Sequence, residues 1–162
     1  MFHEKARKKI NVEIKQIDKL LNTYKELFEK CEKEKPDTIE IAALGSVLHS
    51  FYNGLENIFK IIAREVDDDL LDGSHWHRDL LVHMSISTAE RKSVISRSVK
   101  EDLADYLGFR HFYRHSYSYF LDWDELKPLV YSLQEVWKTT KNDLLKFVET
   151  LATPSSDDQH GR

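Results

Sequence analysis

Chemically reactive side chains are densest between Arg110 and Tyr117. On an α-helix successive residues lie about 100° apart, which places the polar side chains of this segment on one face. That face carries guanidinium, imidazole, phenol and hydroxyl groups, from Arg110, His111, Arg114, His115, Tyr117 and Ser118. The opposite face carries aromatic side chains that we expect in the core: Phe109, Phe112, Tyr113, Tyr119 and Phe120.

Arginine and histidine together suit the cleavage of a phosphodiester bond in RNA. Arginine offers a permanent charge and a planar fork that matches phosphate, and histidine gives or takes a proton near neutral pH. Cleavage needs a base for the ribose 2′-OH proton, a cation for the phosphate oxygens and an acid for the departing oxygen. None of these steps requires a metal ion. The same face is also typical of a solvated helix surface, with its charges paired to acidic neighbours: Asp102, Asp105 or Asp122.

The composition indicates a small all-helical domain. Of the 162 residues, 41% are hydrophobic and 32% are charged, which fits one globular domain with a modest core. Glycine and proline occur 5 and 3 times, so we expect few tight turns and long helices. The formal net charge of −4 is unlike that of a nucleic-acid-binding surface, and an RNA site would therefore need a local basic patch.

The single cysteine, Cys31, excludes an intramolecular disulfide and a cysteine-based zinc site. The histidines of the segment His75-Trp76-His77, together with His83, lack the spacing of a metal motif, so we expect no metal and no cofactor. Trp76 is expected to be a packing anchor. No apolar stretch has the length of a signal peptide or a membrane span, which predicts a cytoplasmic protein.

Apolar residues at helical spacing predict four main helices joined by short connections. We expect them over residues 2–33, from 37 or 38 to about 65, from about 98 through a possible break near Gly108, and from 122 or 124 to about 151. A short helix, capped by Ser74, is expected from 75 to about 85, and the stretch 86–97 is expected to be irregular. The fold class is therefore all-α, an antiparallel bundle of four to five helices over residues 1–151 with a disordered polar tail over 152–162.

Further polar residues have two interpretations each. Glu56 and Asn57 lie among the apolar residues of the second helix, where they are either hydrogen-bonded partners within the bundle or groups that orient Arg110 or His115. Close helix packing is the expected reason for Gly45 and Gly54 in the same helix. Basic residues before the motif either guide RNA through its phosphates or are loop charges without a role: Lys92, Arg97 and Lys100.

The pattern Arg110-x-x-x-x-His115-x-Tyr117 resembles the motif of HEPN-domain ribonuclease toxins of the HepT type. The surrounding sequence resembles that family as well, in FYNGLENIFKIIA (51–63), GSHWHRDLLVHM (73–84) and the K-x-DLLKF of the last helix (141–147). The resemblance extends over most of residues 2–151. It implies a HEPN-like helical bundle that forms a homodimer, with two copies of the motif helix at one cleft.

The resemblance also implies an activity and a partner. The protein would be a metal-independent endoribonuclease toxin of a toxin–antitoxin pair, with Arg110 and His115 catalytic and RNA as substrate. The antitoxin would be an MntA-like nucleotidyltransferase that transfers AMP from ATP to Tyr117. Arg114 and His111 would support the site. Many family members have Asn directly after the motif arginine, so His111 is a departure and the reserve candidate for proton transfer.

Two other functions remain compatible with the sequence. The domain could be a non-catalytic helical binding module that presents a substrate or regulatory surface to a partner nucleotidyltransferase; it would then form a tight complex without cleaving RNA. Alternatively, it could be a plain interaction protein in which the motif is coincidental. Substitutions of Arg110 and His115 would in that case behave like surface changes, within about 0.5 kcal/mol in stability.

Overall fold

The computed structural model of the protein describes residues 3–69, 71–117 and 121–152. These ranges contain six α-helices and no strand, which confirms the all-α prediction: α1 (Glu4–Thr23), α2 (Lys25–Lys33), α3 (Thr38–Ile61), α4 (Trp76–Met84), α5 (Arg97–Arg114) and α6 (Trp123–Ala152). A π-helical turn, Ile62–Val66, continues α3. Among the described helices, none combines the length and the apolar character that crossing a membrane would require.

Helix α3 lies at the centre of the bundle and packs against α1, α4, α5 and α6. Its wide apolar face is buried, and Phe51, Leu55 and Phe59 have no exposed surface. The helix begins with a capping box formed by Asp37 and Glu40. The Glu40 backbone N–H donates to Asp37 Oδ1 at 2.8 Å, and the Asp37 backbone N–H donates to Glu40 Oε1 at 3.1 Å.

Two glycines of α3 lie where neighbouring side chains come close, which agrees with the packing role expected for them. A Cβ added to Gly54 would lie 2.9 Å from Ile17 Cγ1 on α1. A Cβ added to Gly45 would lie 2.7 Å from Leu121 Cδ1 and 3.3 Å from a ring carbon of Tyr113. The separations of 2.7 and 2.9 Å are shorter than carbon atoms tolerate, so the absent Cβ atoms allow Leu121 and Ile17 to approach α3.

Several predicted boundaries were wrong. The expected helix over 2–33 is divided at Tyr24, and the second helix ends in the π-helical turn rather than as a regular helix. His75, and not Ser74, is the N-cap residue of α4. Helix α5 is capped by Ser96, which accepts from the Val99 backbone N–H, and it runs through Gly108 without a break. Residues 118–120 and 153–162 of the predicted tail lie outside the described residues, and Ala152, which was assigned to that tail, is the last residue of α6.

A buried ion cluster fixes the irregular connection between α4 and α5. Arg91 donates through Nε to Asp67 Oδ1 at 2.8 Å and through Nη2 to Asp67 Oδ2 at 2.9 Å. The ring of His83 approaches the same carboxylate, with Nε2 at 2.8 Å from Oδ2. The side chains of Asp67 and Arg91 are only 2% and 4% exposed, so this two-pronged pair anchors the connection to the end of the π-helical turn and sets where α5 begins.

We predict that Asp67→Ala lowers the free energy of unfolding by about 3–5 kcal/mol, because it leaves the buried charge of Arg91 without its partner. The control is Glu101→Ala, which removes the partner of Arg97 in a pair whose side chains are 62% and 87% exposed. That change should cost less than about 0.5 kcal/mol. Urea unfolding followed by circular dichroism measures both, and equal losses for the two variants would contradict the role given to the cluster.

Candidate functional site

Arg110 lies near the C-terminal end of α5, and its side chain is directed at α3 and α4. Only 12% of that side chain is exposed. Its Nε donates to Asn53 Oδ1 at 2.7 Å, its Nη2 lies 3.6 Å from Glu56 Oε1, and its Nη1 lies 3.4 Å from His77 Nδ1. The guanidinium is therefore held by partners from two other helices.

The carboxylate of Glu56 is the shared partner of Arg110, His77 and Lys60. Its side chain is 2% exposed, and such a buried carboxylate is costly to leave unpaired. Oε2 lies 2.8 Å from His77 Nδ1, and Oε1 lies 3.6 Å from Arg110 Nη2 and 3.9 Å from Lys60 Nζ. The structure thus places Glu56 beside Arg110. Asn57, the other candidate for an orienting residue, is exposed, and it is not among the hydrogen-bonding partners of Arg110 in the described residues.

Sequence reasoning missed two residues of this site, Asn53 and His77. For Asn53 a signal exists in the spacing of polar residues along an otherwise apolar helix: His49, Asn53, Glu56 and Lys60. Steps of four, three and four place them on one stripe of α3. Of the polar residues on this helix, only Glu56 and Asn57 were expected to orient the motif, and the stripe was not recognised. No comparable periodic signal marks His77, which lies on a different helix.

The side chains of His49 and Tyr52, which lie near Arg110 and Glu56, are kept uncharged by their surroundings. Burial lowers the pKa of His49, and the positive charges of Arg110 and Arg114 lower that pKa further. The neutral ring can then accept through Nδ1 from the Asn53 amide Nδ2, 3.3 Å away. Burial raises the pKa of Tyr52, and the charge of Glu56 raises it further, so this phenol also stays neutral. His49 and Tyr52 therefore contribute neutral groups beside the ion pair of Arg110 and Glu56.

His77 is held from two sides. Its Nδ1 faces Glu56, and its ring stacks on that of Trp76 with centroids 3.5 Å apart. Lys60 Nζ lies 4.8 Å from the centroid of the Trp76 ring, which packs against the core as predicted. These contacts fix the orientation of the His77 imidazole, since rotation of the ring would break both the stack and the hydrogen bond to the carboxylate.

The sequence predicted that the other motif residues share one helix face with Arg110, and this prediction was wrong. Helix α5 ends at Arg114, and His115 is its C-cap residue. The side chains that follow Arg110 on the motif are exposed: His111, Arg114, His115 and Tyr117. The rings of His111 and His115 lie 4.9 Å apart. The motif is therefore divided between an inward-facing arginine and exposed imidazoles.

The aromatic face was also predicted only in part. Phe109 and Tyr113 pack against the core, but Phe112 is 41% exposed and was wrongly assigned to it. The expected pairing of the motif cations with Asp102, Asp105 or Asp122 is not found in the described residues. Arg110 instead pairs with Glu56, which is distant in sequence, and Arg97 pairs with Glu101 on its own helix.

This fold and this site define an all-α helical bundle with an arginine–histidine–tyrosine motif at the end of α5. The family model described as HepT-like protein matches residues 43–151, more than half of the chain, and the protein therefore belongs to the HepT-like family. This membership confirms the resemblance to HepT-like HEPN toxins and supports a role in a toxin–antitoxin pair. Comparisons with curated proteins and with solved structures gave no match.

Proposed function

We propose that the protein is a metal-independent endoribonuclease toxin, in which Arg110 binds the scissile phosphate and His115 transfers a proton. The observation that carries the proposal is the fixed position of Arg110, which Glu56 and Asn53 hold at the inner end of the motif. Family membership supports the toxin class. The chemistry itself follows from the side chains that the motif brings to the end of α5.

The arrangement of Arg110 suits the binding of a phosphate. A guanidinium has five N–H donors, and the contacts with Asn53, Glu56 and His77 engage at most three of them. At least two donors therefore remain for phosphate oxygens. Free arginine carries about 2 kcal/mol of rotamer entropy, and much of this is already lost before RNA arrives. Arg110 is thus positioned in advance to stabilise the charge that develops on the phosphate.

His115 is exposed, so a bound RNA strand can reach its imidazole. In the proposed reaction the ribose 2′-oxygen loses its proton and attacks phosphorus, and the bond from phosphorus to the 5′-oxygen breaks. The departing 5′-oxygen takes a proton from an acid. The products are a 2′,3′-cyclic phosphate and a 5′-hydroxyl. His115 is the first candidate for proton transfer, and His111, its ring 4.9 Å away, is the reserve.

The exposed surface around the motif supports a homodimer. Phe112 is 41% exposed and Tyr117 is 70% exposed, and both lie beside the polar groups of the motif. Exposed apolar and aromatic surface often marks a protein interface. A second copy at this surface would double the number of guanidinium groups from Arg110 and Arg114. The local positive charge could then attract RNA although each chain has a net charge of −4.

We predict that purified, unmodified wild-type protein cleaves RNA in the presence of EDTA, and that His115→Ala slows cleavage about 10²–10⁴-fold because a proton-transfer group is lost. His75→Ala is the matched control, since His75 is exposed and makes no side-chain capping bond. Its rate should equal that of the wild type.

A companion variant, Arg110→Lys, keeps the charge but loses the fork, and its rate should also fall. If the unmodified wild type cleaves nothing in a broad panel of RNAs, the ribonuclease proposal is wrong. The binding-module interpretation would then be favoured.

We further propose that a cognate MntA-like nucleotidyltransferase neutralises the toxin by AMPylating Tyr117. Tyr117 is 70% exposed, so its hydroxyl can reach a second active site. The phenol oxygen would attack the α-phosphorus of ATP, and pyrophosphate would leave. The added phosphate brings a negative charge to the residue two positions after His115, where it would repel the phosphates of RNA.

We predict that incubation with ATP and the partner enzyme adds AMP to the wild type but not to Tyr117→Phe, and that RNA cleavage falls as modification rises. Intact-protein mass spectrometry measures the modification. Tyr131→Phe is the control, because Tyr131 is also an exposed tyrosine, at 46%, but lies on α6. AMP added equally to Tyr117→Phe would show that another residue is the acceptor.

A further inference from the structure

The imidazole that contacts Arg110 in this chain belongs to His77 on α4, and not to a histidine of the motif. His77 Nδ1 lies 3.4 Å from Arg110 Nη1 and 2.8 Å from Glu56 Oε2. Its ring is stacked on Trp76, and 26% of its side chain is exposed. A well-oriented imidazole therefore lies beside the proposed phosphate-binding arginine while remaining open to solvent.

The contact with Glu56 decides which nitrogen of His77 carries the proton. An ionised carboxylate only accepts hydrogen bonds, so a ring nitrogen 2.8 Å from Glu56 Oε2 must be the donor. Nδ1 is consequently protonated, and the approach of Arg110 Nη1 to it is a close contact rather than a hydrogen bond. In the neutral ring the lone pair then lies on Nε2. No protein hydrogen bond engages Nε2 within the described part of the chain.

Together, Glu56 and His77 form a carboxylate–imidazole pair of the kind that prepares histidine for proton transfer. The carboxylate fixes the tautomer and the orientation of the ring and stabilises the imidazolium when the ring gains a proton. The charged groups in contact with His77 are Glu56 from α3 and Arg110 from α5. Lys60 of α3 lies beside Glu56 and over the ring of Trp76.

We propose that His77 is the general base of the reaction, a role that rests on the ribonuclease function proposed above. Nε2 of His77 takes the proton from the ribose 2′-OH, the 2′-oxygen bonds to phosphorus, and the bond to the 5′-oxygen breaks. His115, in its protonated form, gives a proton to that departing oxygen. The reaction leaves His77 protonated and His115 neutral, and proton exchange with water restores both.

The test compares His77→Asn with His75→Asn over a range of pH. Asparagine keeps an N–H donor close to the position of Nδ1, so the hydrogen bond to Glu56 can persist while the proton acceptor is lost. We expect His77→Asn to slow cleavage about 10²-fold or more at neutral pH. The decline of the wild-type rate toward acid pH should disappear in that variant, since no base remains to be protonated. His75→Asn should keep the rate and the profile of the wild type.

The results distinguish a wrong role for His77 from a wrong ribonuclease proposal. If the wild type cleaves RNA and His77→Asn matches His75→Asn, the role of His77 is wrong while the ribonuclease proposal stands. If the wild type does not cleave, the proposed function is wrong instead. Independently of activity, nitrogen-15 NMR of the ring should show His77 protonated on Nδ1 in the wild type. A ring found with its proton on Nε2 alone would overturn the inference even if every variant lost activity.

Discussion

The rest of the site depends on the pairing of the buried Glu56 carboxylate with Arg110 and His77. The Glu56 side chain is only 2% exposed, and a buried carboxylate is stable only where cations and hydrogen-bond donors contact it. Here Arg110 comes from α5, His77 from α4 and Lys60 from α3 itself. The carboxylate thereby joins three helices at one point and turns the side chain of Arg110 inward, away from the exposed part of the motif.

The helices could largely be predicted from the sequence, because their apolar spacing reflects burial that is local to each helix. The close packing at Gly45 and Gly54 was also predicted, because glycine inside a helix lowers helix propensity and so indicates a position where a neighbour comes close. The end of α5 at Arg114 could not be predicted, since neither glycine nor proline marks it. A helix continued past Arg114 gave the motif a single face, and that prediction was wrong. The assignment of Phe112 to the core was also wrong, and the end of the helix does not explain it, because Phe112 lies inside α5.

The candidate site was predicted as a list of residues but not as an arrangement. Whether Arg110 pairs with a nearby aspartate or with Glu56 depends on how α5 lies against α3, a contact between residues far apart in sequence. The polar stripe of α3 could have indicated the correct partner. All four residues of the resulting cluster, Asn53, Glu56, His77 and Arg110, lie within the span matched by the HepT-like family, residues 43–151. Helices α1 and α2 precede that span and contribute packing, such as that of Ile17 against Gly54.

A crystal structure of the wild-type protein with a 2′-O-methyl RNA oligonucleotide would show whether Arg110 binds phosphate while Glu56 holds it, because the methyl group blocks attack by the 2′-oxygen and the strand stays intact. We expect a phosphate oxygen at about 2.7–2.9 Å from Nη1 or Nη2 of Arg110, with Nε still bonded to Asn53 and the ion pair with Glu56 retained. RNA bound to a different surface would show that this role of Arg110 is wrong. So would an Arg110 that has left Glu56 in order to reach the phosphate, since the buried carboxylate would then not be what positions it.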